Sequence, residues 1–304
     1  MPLSLSIAHL GPAGTYAEQA AFTYRHWFTQ HCPETQLTLV PCPSIALTLR
    51  STATGESDLT VVPVENSLEG SVSMTLDTLW QLENLQIRQA LVLPIVHVLV
   101  SEASRLQDLQ TVYSHPQALG QCQRWLEQFV PQATLVPANA TTEALKLVPG
   151  TPTVAAIASQ RAATLYNLPI LAAAIQDHPD NCTRFWVVSQ AGFDGIPESS
   201  QPHPVYTSLA FSLPANAPGA LVKPLQIFAE RHINLSRIES RPSKRSLGDY
   251  VFFVDAEAQR DNIELQSALA QLTDYTEVLK VLGSYPLLDH LFPLSSDRSF
   301  LLES

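Results

Sequence analysis

The sequence lacks several features that define whole classes of protein. Its 304 residues contain no apolar run near the ~18 residues that a membrane-spanning helix requires. Its four cysteines, Cys32, Cys42, Cys122 and Cys182, show no CxxC spacing, which argues against a zinc site and a disulfide scaffold in a chain this long. No Lys/Arg cluster opposes the formal net charge of -11, so we expect no nucleic-acid or anionic lipid partner.

The start of the chain also lacks the basic segment and long apolar segment of an export signal. Residues 1–8 read MPLSLSIA, which is typical of a first strand, so we expect a soluble cytoplasmic protein. No cluster of ligating residues indicates a metal, and we predict neither metal nor organic cofactor. With 45% hydrophobic and 15% charged residues, the chain is long enough for two domains with separate cores.

The first 190 residues alternate between strand and helix patterns. Such alternation is typical of α/β domains with parallel sheets, whose ligands lie beyond the carboxyl ends of the strands. Predicted strands cover residues 6–10, 37–40, 59–64, 95–100, 111–113 and 153–157. Predicted helices cover residues 15–28, 44–53, 71–82, 116–129, 141–147 and 159–166.

The remaining chain changes pattern after a segment rich in Gly, Pro and Ser, which indicates a linker at 191–204. Strands at 205–213, 234–240, 249–256 and 276–284 and helices at 218–231 and 262–271 follow in the order βαββαβ. That order predicts a ferredoxin-like α+β unit. We therefore divide the chain into a first domain at 1–190, the linker, a second domain at 205–284 and a tail at 285–304 of unassigned structure.

Two candidate sites follow the first and third predicted strands. GPAGTY at 11–16 enters a helix, so its amides and Thr15 could cradle an anion, or Thr15 could simply cap that helix. In PVENSLEGSV at 63–72, Asn66, Ser67 and Ser71 bring donors to a strand end, while Glu65 and Ser71 could instead serve only turns and caps.

Two further candidates lie in YSHPQALGQC at 113–122 and NCTRFWVV at 181–188. His115 could donate a proton near neutral pH or be structural, and Ser114 and Gln117 could line a site. Arg184 could clamp a carboxylate with two hydrogen bonds while Thr183 donates to a leaving oxygen. A surface ion pair and a threonine chosen for its strand propensity are the alternatives.

The second domain offers two candidate segments for a ligand. Gly219, Ala220, Leu221 and Val222 open its first helix, where the glycine leaves room for an amino acid's carboxylate. Glu239, Ser240, Arg241 and Pro242 end its second strand, and Glu239 or Arg241 could face a ligand or a partner subunit. The alternative is a packing domain that binds nothing.

Taken together, five segments resemble the prephenate dehydratases over roughly residues 5–284: GPAGTYAEQAA at 11–21, VPVENSLEGSV at 62–72, YSHPQALGQC at 113–122, AAIAS at 155–159 and NCTRFWVVS at 181–189. The resemblance implies two α/β lobes like those of a periplasmic binding protein, with the substrate in the cleft, and a C-terminal ACT domain. It implies phenylalanine binding at the two candidate segments of that domain. It also implies site roles for Thr183, Arg184, Phe185, Asn66, Ser67, Ser114, His115, Thr15 and Thr141.

The implied reaction expels carbon dioxide and water from prephenate as its ring becomes aromatic. We hypothesise that Arg184 and the amides near Gly14 hold carboxylate, that Thr183 hydrogen-bonds the departing hydroxyl, and that His115 or an ordered water supplies the proton. Phenylalanine regulation and a homodimer or homotetramer are expected. No chorismate mutase helices precede the domain, so a single activity is expected. An arogenate dehydratase and a non-catalytic sensor of small anions are the alternatives.

Overall fold

The computed structural model describes residues 4–138, 141–197 and 204–288. Its strands are β1 (Ser4–Leu10), β2 (Gln36–Cys42), β3 (Leu59–Asn66), β4 (Gly70–Ser71), β5 (Leu85–Pro94), β6 (His97–Val100), β7 (Thr111–Ser114), β8 (Thr134–Pro137), β9 (Val154–Ser159), β10 (Ile170–Ala173), β11 (Cys182–Gln190), β12 (Val205–Ser212), β13 (Leu235–Pro242), β14 (Tyr250–Ala256) and β15 (Val278–Leu288). Its helices are α1 (Tyr16–His31), α2 (Ile45–Thr54), α3 (Ser73–Gln81), α4 (Pro116–Gln121), α5 (Gln123–Phe129), α6 (Thr141–Leu145), α7 (Gln160–Leu165), α8 (Val222–Glu230) and α9 (Ile263–Leu272). No helix within these ranges is both long and apolar enough to cross a membrane.

The first part of the chain forms two lobes, as predicted. Lobe 1 (residues 4–94 and 182–197) contains the strand order β5-β11-β3-β1-β2, and lobe 2 (residues 97–138 and 141–173) contains the order β10-β6-β9-β7-β8. The chain crosses between the lobes twice, and hydrogen bonds join the second crossing to the first and to the start of β6. The Ile95 amide donates to the Asn181 carbonyl at 2.8 Å, and the Ile175 amide donates to the His97 carbonyl at 3.0 Å.

Both lobe sheets are mixed, whereas the α/β alternation predicts parallel sheets. β11 is antiparallel to both β3 and β5, and β6 is antiparallel to both β9 and β10. β11 runs antiparallel because of the end at which it enters the sheet. Its first residues pair with the last residues of its neighbours: Cys182 opposes Pro94, and Thr183 opposes Asn66. A strand that re-enters a sheet at this end must run back, and no helical crossover is required.

Alternate residues of β11 enter two different cores of lobe 1. Phe185 and Val187 pack in the cluster that contains Trp27 and Phe28 of α1. Trp186 and Val188 pack on the opposite face with residues of α2 and α3, which include Leu49, Leu76 and Leu79. Each such side chain contributes about 1.5–3 kcal/mol when it is fully buried, so β11 anchors both layers. The strand that carries Thr183 therefore has a fixed position.

The second domain has the predicted βαββαβ order. Its strands are antiparallel in the order β13-β14-β12-β15, and α8 and α9 supply Phe228 and Leu265 to its core. α8 begins at Val222, four residues later than predicted, because Gly219 has a φ of 80° that a helix does not accommodate. Residues 219–221 therefore lie in the turn before the helix and do not open it.

The sheets of the two domains are continuous through β15. This strand pairs with β12 and also, in parallel, with β5, where Leu287 opposes Ala90 and Leu288 opposes Leu91. Gly283 permits the close approach, since a Cβ at this position would lie 2.2 Å from the carbonyl oxygen of Ile87. β15 thus continues past residue 284 into four residues for which the sequence predicts no structure, and Tyr285 among them is buried against Trp186.

Candidate functional site

Thr183 lies at the carboxyl ends of β3 and β5, where Asn66 holds it. The Nδ2 amide of Asn66 donates to Thr183 Oγ1 at 2.9 Å and to the Cys182 carbonyl at 3.1 Å, while its Oδ1 accepts from the Leu68 and Glu69 amides at 3.0 and 3.1 Å. Backbone amides only donate and carbonyls only accept, so both ends of the Asn66 side chain are assigned unambiguously. Asn66 is therefore a donor to Thr183.

This bond determines what the Thr183 hydroxyl can do. A hydroxyl that accepts one hydrogen bond still carries its own hydrogen for donation. Within the described residues, no acceptor receives the Thr183 hydrogen, and the side chain is 8% exposed. The Thr183 hydroxyl thus keeps its hydrogen available for donation, and a role as donor to the substrate stays a prediction.

A chain of side-chain amides continues from Asn66 into lobe 2. Asn181 Oδ1 accepts from Asn66 Nδ2 at 3.0 Å, and Asn181 Nδ2 donates to Gln121 Oε1 at 3.1 Å. His97 Nε2 lies 2.9 Å from the same Gln121 oxygen. Burial lowers the pKa of His97, although the hydrogen bond to Gln121 opposes that shift, so the neutral ring is favoured. We call Thr183, Asn66, Asn181, Gln121 and His97 the amide network.

An open cleft of about 840 Å³ borders this network. Its lining includes the candidate residues His115 and Gln117 and shares Gln121 with the network. The full lining is Leu68, Glu69, His115, Pro116, Gln117, Gly120, Gln121 and His178. His115 Nδ1 accepts from the Gln117 amide at 3.3 Å, which leaves Nε2 to carry the hydrogen of the neutral ring. Across the described ranges, no hydrogen bond joins His115 to Thr183.

Three of the polar residues predicted to line the site are hydrogen-bonded to other groups of the protein, and the side chain of a fourth is not described. Ser114 is fully buried, and its hydroxyl donates to the Ile157 carbonyl at 2.8 Å. Ser67 donates to Asn181 Oδ1 at 3.2 Å and accepts from the Cys182 amide at 3.0 Å, so it fastens the start of β11. Thr15 caps α1 by accepting from the Glu18 amide at 3.3 Å. The side chain of Thr141 lies outside the described residues.

The turn at Gly14, predicted as an anion cradle, bonds to Glu18 of α1 and packs against lobe 2. The Gly14 amide donates to Glu18 at 3.4 Å, and a Cβ on Gly14 would lie 3.1 Å from that of Ala162. Glu18 also receives two hydrogen bonds from Arg161, at 2.5 and 2.6 Å. Burial raises the pKa of Glu18, but Arg161 outweighs that effect and the pKa is lowered. This turn therefore joins the lobes through α1 and α7.

Arg184 is directed away from Thr183, towards the second domain. Its Nη1 lies 3.3 Å from Asp255 Oδ2 and its Nη2 lies 3.5 Å from Glu65. Asp255 is completely buried and is also bound by both Nε and Nη2 of Arg237, at 2.8 and 3.2 Å. We call Arg184, Glu65, Arg237 and Asp255 the charged cluster. The structure thus separates the two residues that the sequence combines in one anion site.

Phe185 completes the contrast within the predicted triplet. It is 2% exposed and packs in the apolar core beneath α1. Thr183 is therefore the one member of the triplet that the described structure joins to the polar network beside the cleft.

The second predicted effector segment, residues 239–242, has contacts within the chain. Glu239 accepts a hydrogen bond from Ser71 at 3.1 Å, and Arg241 donates two to Asp77 at 3.1 and 3.3 Å. Ser240 and Pro242 are exposed on β13, which is the edge of the continuous sheet. Where the chain is described, no hydrogen bond links residues 219–222 to residues 239–242.

Three members of the amide network were not predicted as site residues. Asn181 and Gln121 lie inside two of the segments that resemble the family, but the sequence there indicates Thr183 and His115 as the chemically active residues. His97 lies in a predicted strand without any polar motif. Only the fold brings these side chains together, because Gln121 and Asn181 are 60 residues apart in the sequence.

The two lobes, the polar cleft between them and the fused βαββαβ domain define an α/β enzyme with an attached regulatory domain. The chain belongs to the prephenate dehydratase family: the family model described as prephenate dehydratase matches residues 7–192, and the ACT domain model matches residues 207–274. The family resemblance predicted from the sequence is confirmed.

Individual relatives cover almost the whole chain. The bifunctional chorismate mutase/prephenate dehydratase of Aquifex aeolicus is 39% identical over 93% of this chain and 74% of that protein. The prephenate dehydratase of Methanocaldococcus jannaschii is 35% identical over 94% of this chain and 100% of that protein. The crystal structure of the prephenate dehydratase of Arthrobacter aurescens in complex with L-Phe is 33% identical, with a TM-score of 0.80, and the match covers 97% of this chain and 96% of that one.

Proposed function

We propose that this chain is a lyase that converts prephenate into phenylpyruvate, carbon dioxide and water. The observation that carries the proposal is the Thr183 hydroxyl, which accepts from Asn66 and retains its hydrogen for a ligand in a chain of this family. In the reaction, the bond to the ring carboxylate breaks, its electron pair completes the aromatic ring, and the ring hydroxyl leaves. One proton converts that hydroxide into water.

We assign Thr183 to the departing hydroxyl as a hydrogen-bond donor. Threonine is a poor acid near neutral pH, so the proton itself comes from His115 or from an ordered water in the cleft. Gln117, beside His115, is a further candidate for substrate contact. Arg184 would have to leave Asp255 to clamp a carboxylate, so we assign it to the junction between domains.

The same proposal includes regulation by L-phenylalanine through the ACT domain. A relative binds L-Phe, and the segment 239–242 touches lobe 1 at Ser71 and Asp77, close to the loop that follows Asn66. An effector that binds this segment better in one arrangement of the domains would shift the cleft between arrangements. We propose a cytoplasmic homodimer or homotetramer.

The decisive experiment offers prephenate and arogenate separately and measures phenylpyruvate and phenylalanine, with and without added L-phenylalanine. We expect turnover of prephenate and its inhibition by L-phenylalanine. Turnover of arogenate alone would make the chain an arogenate dehydratase. Turnover of neither, with binding of either, would make it a sensor. Removal of residues 205–304 without loss of L-phenylalanine sensitivity would contradict regulation through the ACT domain.

A further inference from the structure

We propose that Asn181 and Gln121 are positioning residues, which fix the orientation of the Thr183 hydroxyl and do so only while the two lobes are in contact. The inference rests on the proposed dehydratase function, because it assigns the hydroxyl of Thr183 to catalysis. Neither residue needs to touch the substrate. Both act through Asn66.

The first step concerns the two hydrogens of Asn66 Nδ2. Three acceptors lie within reach: Thr183 Oγ1 at 2.9 Å, Asn181 Oδ1 at 3.0 Å and the Cys182 carbonyl at 3.1 Å. Asn181 takes one hydrogen on its side of the amide, so the other is directed towards the start of β11. The Leu68 and Glu69 amides hold the Oδ1 end of this amide, and Asn181 is the side-chain acceptor that holds one hydrogen of the Nδ2 end. Without Asn181, the Nδ2 end loses that acceptor, and Thr183 loses a sharply defined donor.

The second step concerns what holds Asn181. Its Oδ1 faces donors from Asn66 and Ser67, which assigns its Nδ2 to Gln121 Oε1 at 3.1 Å. Gln121 Oε1 is approached by His97 Nε2 as well, and Gln121 Nε2 donates to Glu69 Oε1 at 3.3 Å. Every amide in this series therefore has one orientation that satisfies all of its neighbours. Networks satisfied in this way specify a single arrangement.

The third step concerns the lobes. Asn66 and Thr183 belong to lobe 1, Gln121 and His97 belong to lobe 2, and Asn181 ends the second crossing. The bond from Asn181 to Gln121 is thus made across the boundary between crossing and lobe 2. Separation of the lobes would break the series at this point. Approach of the lobes consequently sets the Thr183 hydroxyl at the same time as it narrows the cleft.

The test uses the full-length protein and prephenate as substrate. We expect Asn181→Ala to lower kcat on the order of 10- to 100-fold with little change in KM, because a small misplacement of a catalytic group has an effect of this size. In a Thr183→Val background, the same Asn181→Ala change should alter kcat by less than about twofold, since no hydroxyl remains to be positioned. A structural defect would lower kcat equally in both backgrounds.

Gln190→Ala is the matched control, because Gln190 lies at the other end of β11 and its amide donates to the Ala53 carbonyl at 3.0 Å. Its kcat should remain that of the unmodified protein. If Asn181→Ala does not fold, Gln121→Leu removes the same bond from lobe 2 and should give the same kcat loss and the same background dependence.

Three outcomes decide between the possibilities. A kcat loss confined to the Thr183 background supports the inference. Unchanged kcat in Asn181→Ala, or an equal loss in both backgrounds, overturns it while the dehydratase function stands. No turnover of prephenate by the unmodified protein overturns the proposed function itself.

Discussion

Thr183 and Arg184 are neighbours in one motif, but they lie on opposite faces of β11 and bond to different kinds of partner. Thr183 is held by neutral side-chain amides that lead into lobe 2, whereas Arg184 is held by carboxylates that lead into the ACT domain. Amides direct a hydrogen bond without introducing net charge, and they suit a group that must present one hydrogen. Opposite charges join two domains, but they tolerate the loss of neither partner.

The difference has an energetic basis in burial. Asp255 has no exposed surface, and its carboxylate is bound by the guanidinium groups of Arg184 and Arg237 and by the hydroxyl of Ser208. A neutral buried hydrogen bond contributes about 0.5–1.5 kcal/mol, whereas removal of one partner from a buried ion pair costs about 3–5 kcal/mol. We therefore expect substitutions in the charged cluster to affect stability and substitution of Thr183 to affect catalysis.

The largest expected effect is that of Asp255→Asn on stability. The substitution leaves Arg184 and Arg237 without their shared counter-charge and should lower the free energy of unfolding by about 3–5 kcal/mol. Chemical denaturation monitored by fluorescence measures the change. Asp108→Asn is the control, because its pair with Arg105 is exposed, and the expected loss is below about 0.5 kcal/mol. Equal losses in the two variants would remove the energetic distinction between the faces.

Thr183→Val tests the opposite face. Removal of one donor to the leaving oxygen should lower kcat about 10²- to 10³-fold, which corresponds to about 2.7–4 kcal/mol of transition-state stabilisation. The free energy of unfolding should change by less than about 1 kcal/mol, since one neutral hydrogen bond is lost. Steady-state kinetics and denaturation of the same preparation provide both values. A stability loss as large as that of Asp255→Asn, or unchanged kcat, would contradict the division of roles.

Much of this architecture is predictable from the sequence because it depends on local patterns. The motifs locate the strand ends, and Thr15 and Pro116 mark the first turns of α1 and α4. β5 is absent from the prediction, although it lies between the two domain sheets. Its sequence LQIRQALVLP mixes residues that favour helices with a proline at the end, so periodicity does not identify it as a strand.

The direction of Arg184 is not predictable from the sequence for a different reason. Side chains alternate along a strand, so Arg184 and Thr183 lie on opposite faces of β11. Which face meets the cleft depends on β15, which brings the ACT domain against β5 and Asp255 against Arg184. That contact joins residues 71 positions apart and leaves no local pattern.

The smallest expected effect is a dependence of stability on pH through His97. Its side chain is buried and its pKa is lowered from 6.5 by that burial, partly opposed by the bond to Gln121, so the unfolded chain binds this proton at a higher pH than the folded chain does. The contribution to stability is therefore complete above pH 6.5 and decreases as the pH falls through the folded-state pKa.

His97→Gln keeps a donor for Gln121 but cannot titrate. The difference in the free energy of unfolding between the unmodified protein and this variant should accordingly be smaller at pH 5 than at pH 7, because only the former loses stability through His97. The carboxylates with lowered pKa, Glu18 and Asp77, lose their contributions at more acidic pH and are present in both proteins. His26→Gln, at an exposed position, should change the free energy of unfolding by less than about 0.5 kcal/mol at either pH. If the difference between His97→Gln and the unmodified protein does not vary with pH, the amide network does not depend on the protonation of His97. The contrast with the charged cluster would then rest on Asp255 alone.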